Sequence, residues 1–274
     1  MANYTAADIK EIREATGAGM LDVKKALDEA DGDKAKAVEV IRVKGLKGIA
    51  KREGRTASEG LIAFDIRDSA EGRTGTLVEL NSETDFVAKN DKFVALGDEA
   101  VAAAVESGAT EPEQLAETPF GEALTNAGAS MGEKILVRRI GRVSGEAVTE
   151  YMHRTNKDLP PQVGVLVATD AAGAEVARDV AMHIAAFTPA YLNRDEVPAE
   201  LVENERRIAQ ETAENEGKPE KAIPKIVEGR LNGFYKENVL LDQAFAKDPK
   251  KSVGQVVEEA GGTVTGFVRF RVGN

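Results

Sequence analysis

The run Thr84-Asp85-Phe86-Val87-Ala88-Lys89-Asn90 carries the residue types best suited to chemistry in this chain, and that chemistry is recognition. Threonine is a strong helix N-cap, so the sequence permits Thr84 to start a helix whose first turn displays Asp85 and Phe86. A carboxylate at a helix N-terminus with an aromatic ring beside it puts one charge and one rigid apolar wedge in a single place. The same residues also suit an ordinary helix start with Phe86 turned into its own core, and the run alone names no partner.

Bond-making chemistry has little to work with. The only histidines are His153 and His183, and the absence of cysteine removes disulfides, thiol catalysis and thiolate metal sites. Neither histidine has metal-ligand spacing, so no metal site is expected. His183, within Ala181-Met182-His183-Ile184, reads as a neutral, hydrogen-bonded histidine at the edge of a helix. His153 ends the strand-like run from Val148 to Met152 before a polar loop, where an interface contact and a plain strand end are both open. Gly17-Ala18-Gly19 and Gly45-Leu46-Lys47-Gly48 form no dinucleotide fingerprint, and no P-loop sequence occurs. Ser58 and Ser130 lack a nucleophile setting, and the carboxylates form no identifiable acid/base pair. Neither an enzymatic activity nor a cofactor is expected.

Lys and Arg total 36 against 47 Asp and Glu, and the net charge of −11 repels a phosphate backbone at long range while leaving room for a local basic patch. Aromatics are only 5% with no Trp, which argues against base stacking as the main business. Met1-Ala2-Asn3-Tyr4 lacks the parts of a secretory signal, and no apolar run nears the roughly 20 residues that span a bilayer. A soluble, cytoplasmic protein is expected, without direct nucleic-acid or membrane binding.

The elements that must position these residues follow from periodicity. Thr5 and Asp8 form a capping box before Ile9 and Ile12, Met20, Val23, Leu27 and Ala30 give a second helical stripe, and Ala37, Val38 and Ile41 a third. Residues 1–50 thus predict a three-helix head, too small to be more than marginal alone, whose exposed face is a candidate for docking. Charged residues 51–60 read as a linker. Alternation at Ile62, Phe64 and Ile66 and at Thr76, Val78 and Leu80 predicts a hairpin around a turn at 68–72. Asn81 to Thr84 reads as a polar stop, followed by a helix through Phe93, Leu96 and Ala100 to Val105, further helical signals at 112–124 and a strand at 135–140. Residues 61–142 form a first α+β subdomain and 143–274 a second. The second echoes the hairpin-then-helix order with strands at 148–151 and 163–167 and a helix through Val176, Val180 and Ile184, although too few residues match to establish a duplication. Two charged helices at about 198–216 and 220–236 reverse at Gly217-Lys218-Pro219, with Leu201, Ile208 and Ala209 facing Ile226, Val227, Leu231 and Phe234. A short helix at 253–260 and a strand through Val264, Val268, Phe270 and Val272 close an α+β fold with antiparallel sheets and a helical hairpin.

Four stretches together resemble the bacterial translation elongation factor Ts family. They are Arg13 to Met20 with Asp22 to Leu27, Asn81 to Asn90, Val163 to Val167 with Ala181 to Ala185, and Ser252 to Gln255 with Thr265 to Phe270. The resemblance runs through nearly the whole chain in order. It implies a ubiquitin-associated-like head, a two-subdomain body and a helical hairpin. It also implies guanine-nucleotide exchange: release of GDP from elongation factor Tu, engaged in its GDP-bound and nucleotide-free forms, without covalent chemistry. By resemblance, Asp85 and Phe86, flanked by Thr84 and Val87, insert near the GTPase helices and disturb its magnesium and phosphate environment. His153 adds a second contact, and Arg13 and Met20 dock near the base-binding side. Asn156 to Pro161 departs from the shorter, glycine-containing turn expected after the family's histidine. The helical hairpin leaves open contact with a second copy in a homo-oligomer, contact with the GTPase, or a stiffening role. The alternative function is a scaffold or binding module without exchange activity.

Overall fold

The computed structural model describes residues 3–16, 18–70 and 72–273, with side chains described outside 46–51. Met1 and Ala2, Gly17 of the first glycine pair and Glu71 of the expected hairpin turn fall outside the described residues. Three helices open the chain: α1 (Ala6–Thr16), α2 (Met20–Glu29) and α3 (Lys34–Arg52). The capping box forms reciprocally, since the Thr5 amide and hydroxyl each donate to Asp8 at 2.7 Å while the Asp8 amide donates to Thr5 Oγ1. Those bonds, with Lys34 nearby, hold the Asp8 carboxyl down at about 2. Ile12, Val23, Ala26, Leu27, Ala30 and Ala37 form the small core.

Two residues expected in that core lie outside it. Met20 is 60% exposed because it opens α2, and helical side chains lean toward the N-terminus, so it projects past the packed turn. Val38 is exposed because Ala37 and Ile41, one turn apart, take the inward stripe and Val38 stands about 100° around from Ala37. Helix α3 also takes up Lys51 and Arg52 of the expected linker, and Arg52 donates to the Gly128 carbonyl at 3.0 Å. Residues 53–58 then lead into the first strand.

The remaining elements are β1 (Glu59–Ser69), β2 (Gly72–Ser82), α4 (Asp85–Ala88), α5 (Asp91–Ser107), α6 (Pro112–Ala116), α7 (Pro119–Met131), β3 (Leu136–Gly145), β4 (Ala147–His153), β5 (Val163–Thr169), α8 (Ala174–Phe187), α9 (Ala199–Asn215), α10 (Ile223–Asn238), β6 (Ala244–Phe245), β7 (Asp248–Ser252), α11 (Val253–Glu259) and β8 (Val264–Arg271). Two antiparallel sheets, ordered β1-β2-β3 and β4-β5-β8, each place the second strand of a hairpin at the centre. The two-residue period then sorts side chains between layers. Leu61, Ala63, Val78 and Leu80 pack under α5, whereas Ile62 and Leu77 point the other way and meet Val148, Leu166 and Ala168 of the second sheet. Val165 and Val167 pack under α8 and α11. The result is a helix–sheet–sheet–helix stack, mixed α+β as expected.

The facing sheets approach closely at glycines: a Cβ on Gly75 would stand 2.8 Å from both Leu166 and Val148, and one on Gly164 2.5 Å from Ile62. The expected polar stop at Asn81 and Ser82 is instead the last, fully buried part of β2, where Asn81 Nδ2 donates to the Glu59 carbonyl at 3.1 Å. Alongside it Glu79 is fully buried and paired with Arg139 at 2.6 Å. Helices α9 and α10 pack through Ala209, Val227 and Leu231 with Val202 and Tyr235. Ile208, expected in that seam, is 43% exposed, because Ala209 and Ala213 hold the inward stripe. The small β6–β7 hairpin carries no alternation that marks it in the sequence.

Candidate functional site

Two caps within seven residues build the turn that carries Asp85 and Phe86. Thr84 is extended (φ −128°, ψ 155°) and its Oγ1 accepts from the Val87 amide at 3.4 Å, opening α4. Asn90 Oδ1 then accepts from the Lys92 amide at 2.9 Å and opens α5, so α4 ends after one turn. On that turn Val87 and Ala88 pack into the core beneath α5, which leaves Asp85 and Phe86 facing outward. Phe86 is 73% exposed, so the alternative in which its ring fills its own core does not hold. Its neighbour is Lys89, whose Nζ lies 4.3 Å above the ring centroid and 3.6 Å from Asp85 Oδ2. An exposed phenylalanine on a fixed, capped turn next to a half-exposed carboxylate is a surface suited to insertion into a partner.

A residue that sequence reading missed holds this turn. Glu133 Oε2 accepts from the amides of Glu83 and Thr84, both at 3.0 Å, and Oε1 accepts from the Thr84 hydroxyl at 2.6 Å. The contact spans about fifty residues, and its only sequence trace is an acid after Gly132, the left-handed residue that ends α7. Glu83 answers by accepting from the Lys134 amide at 2.6 Å and pairing with Arg55 at 3.2 Å.

Arg13 and Met20 are exposed and line a cleft of about 600 Å³ together with Asn90 and Lys92, at the α4–α5 junction. Lys92 Nζ donates across it to the Glu14 carbonyl at 2.8 Å. The head residues and the end of the Asp85–Phe86 turn therefore border one opening. His153 is placed elsewhere, at the exposed end of β4, where Nδ1 and the Tyr151 hydroxyl are 3.2 Å apart. The loop after it closes back through the Gln162 amide on the His153 carbonyl (3.0 Å) and is tied to β1 by the Ile62 amide on the Pro161 carbonyl (2.9 Å).

His183 is buried on α8. Its Nδ1 accepts from the Ala246 amide at 3.2 Å, so its proton sits on Nε2, which donates to Gln243 Oε1 at 2.9 Å. Burial lowers its pKa from the ordinary 6.5, with the Gln243 bond opposing more weakly. In the unfolded chain the imidazole takes a proton as pH falls through 6.5, while the folded chain resists. Stability is therefore expected to decline below about pH 6.5 by up to about 1.4 kcal/mol per pH unit until the folded pKa is reached. Urea unfolding at pH 7.5 and 5.5 checks this, and His183→Gln should remove that part of the difference; an unchanged difference would refute it.

Among the described residues, no three His, Cys, Asp or Glu side chains are grouped to hold a metal ion, and no helix is long and apolar enough to cross a membrane. The family model described as Elongation factor TS matches residues 83–274. Two similar proteins, each named Elongation factor Ts, come from Beutenbergia cavernae and Micrococcus luteus. They are 64% identical over 280 residues and 62% over 282, and each alignment covers the whole of both chains.

Proposed function

This chain belongs to the elongation factor Ts family, and from that premise we propose that it promotes GDP release from elongation factor Tu by binding the nucleotide-free GTPase better than the GDP-bound one. The observation that carries this reading is the outward display of Phe86 and Asp85 on a turn fixed from both sides. A protein ligand shifts its partner's equilibrium only by its differential affinity for the two states. Phe86 supplies an apolar wedge that must displace packed side chains to enter, and Asp85 a carboxylate beside it. Together they oppose the arrangement that holds the partner's magnesium and phosphates, whose ion belongs to the partner's site and not to this chain.

Thr84 and Val87 serve this contact by fixing the turn, one as cap and one as anchor. Arg13 and Met20 extend the same docking side toward the base-binding region, and His153 reaches a separate part of the GTPase. No bond is made or broken, so the protein acts as an exchange factor and not as an enzyme in the ordinary sense. The other reading, a binding module without exchange, predicts a complex with no change in nucleotide loss.

Stopped-flow release of fluorescent GDP from preloaded elongation factor Tu, chased with unlabelled nucleotide, separates the two. Acceleration by substoichiometric protein is expected. A stable complex that leaves the release rate unchanged would reject exchange and favour the binding module.

A further inference from the structure

We infer that Glu133 is the positioning residue that aims the Asp85–Phe86 turn at the partner, an inference that rests on the exchange reading. Helix α4 has only four residues, far below the length at which a helix holds its own shape. Its direction must be imposed from outside, and Val87 and Ala88 pin only its inner face. The start of the turn is pinned by one carboxylate. Glu133 Oε2 takes two consecutive amides, Glu83 and Thr84 (3.0 Å each), and Oε1 takes the Thr84 hydroxyl proton (2.6 Å).

That hydroxyl is the link. By donating to Glu133 it turns a lone pair toward the Val87 amide, so the group that caps α4 is itself oriented by Glu133. Hydrogen bonds to an ionised acceptor are the strong ones, and three of them converge here. The reverse contact, the Lys134 amide on Glu83 Oε1 at 2.6 Å, makes the two chain segments hold each other. The Lys134 ammonium then donates to the carbonyls of Glu53 and Arg55 (2.5 and 3.1 Å), in the segment that joins α3 to β1. The mount of the wedge thus continues into the lead from the head that carries Arg13 and Met20. Small errors of aim matter when a rigid side chain must enter a packed partner.

The test compares wild type, Glu133→Ala and Glu133→Gln, each alone and combined with Phe86→Ala. Release of fluorescent GDP at saturating factor is read beside amide hydrogen exchange and the urea midpoint. Glu133→Ala is expected to slow saturating release roughly tenfold and to deprotect the Glu83 and Thr84 amides selectively. Glu133→Gln, which keeps one acceptor oxygen, should fall between it and wild type. In the Phe86→Ala background, Glu133→Ala should cost less than about twofold more, because residues acting as one unit are not additive. Wild-type release by Glu133→Ala, a full further tenfold loss in that background, or unchanged protection of the two amides would overturn the inference. If Glu133→Ala fails to fold, Glu133→Gln carries the same comparisons. A wild type that does not accelerate release defeats the exchange reading instead, and the amide protection still decides whether Glu133 holds the turn.

Discussion

Phe86→Ala is expected to slow stimulated GDP release by roughly 30-fold, the scale of an aromatic hot spot worth about 2 kcal/mol. The ring is 73% exposed in the free protein, and its contact with Lys89 is worth little at such a site. Truncation leaves the Thr84 cap, the Glu133 bonds and the Val87–Ala88 anchor in place. Stability should therefore stay within about 0.5 kcal/mol of wild type, as for other surface changes. Asp85→Ala is expected to act in the same direction with a smaller loss, since its charge is half-exposed and already shared with Lys89. Stopped-flow release and urea unfolding on the same preparations check both halves. A Phe86→Ala protein that unfolds easily would point to a structural ring, and one with wild-type release would place the driving contact elsewhere.

The largest stability effect is expected at Glu79. Its carboxylate is fully buried in the central strand β2, pairs with Arg139 at 2.6 Å, and accepts at 3.1 Å from both Asn81 Nδ2 and the Gly273 amide. Arg139 in turn donates to the Arg271 carbonyl at 2.9 Å and lies 4.5 Å over the Phe270 ring. One group thus ties β2, β3 and the end of β8. Glu79→Ala removes the acceptor for three donors and leaves a guanidinium between the sheets, which is expected to cost about 3 kcal/mol. The figure sits at the low end of the range for a broken buried pair because Arg139 keeps about a third of its side chain exposed. Glu79→Gln keeps an acceptor for Asn81 and Gly273 and should lose less. Chemical denaturation measures this directly, and a midpoint unchanged in Glu79→Ala would contradict the assignment.

Glu79 also shows where sequence reading stops. Alternation at Thr76, Val78 and Leu80 identifies the strand correctly, but leaves the opposite face, with Leu77 and Glu79, unassigned. That face is covered by the second sheet, and alternation within one strand carries no signal for what a distant strand lays on top of it. Local grammar was otherwise legible: the Thr5–Asp8 box and the cap at Thr84 depend on neighbours within a few residues, and the hairpin of β1 and β2 and the paired helices α9 and α10 join elements consecutive in the sequence, each carrying its own periodicity. Met20, Val38 and Ile208 were misjudged where a stripe met a helix end or ran one residue wide of the seam. The outward display of Phe86 stayed open against burial in its own core until its 73% exposure decided it, and of the turn that carries it only the cap at Thr84 could be read from type and spacing. Its mount on Glu133 could not, because that contact joins segments about fifty residues apart with no shared pattern.

Titrating the protein against elongation factor Tu in two states, saturated with GDP and magnesium or stripped of nucleotide, tests differential binding most directly. Calorimetry is expected to show tighter binding to the nucleotide-free form by on the order of 100-fold, and linkage requires the same factor in the loss of GDP affinity within the complex. Equal affinity for the two forms would contradict the account, because a ligand that binds both states alike displaces nothing.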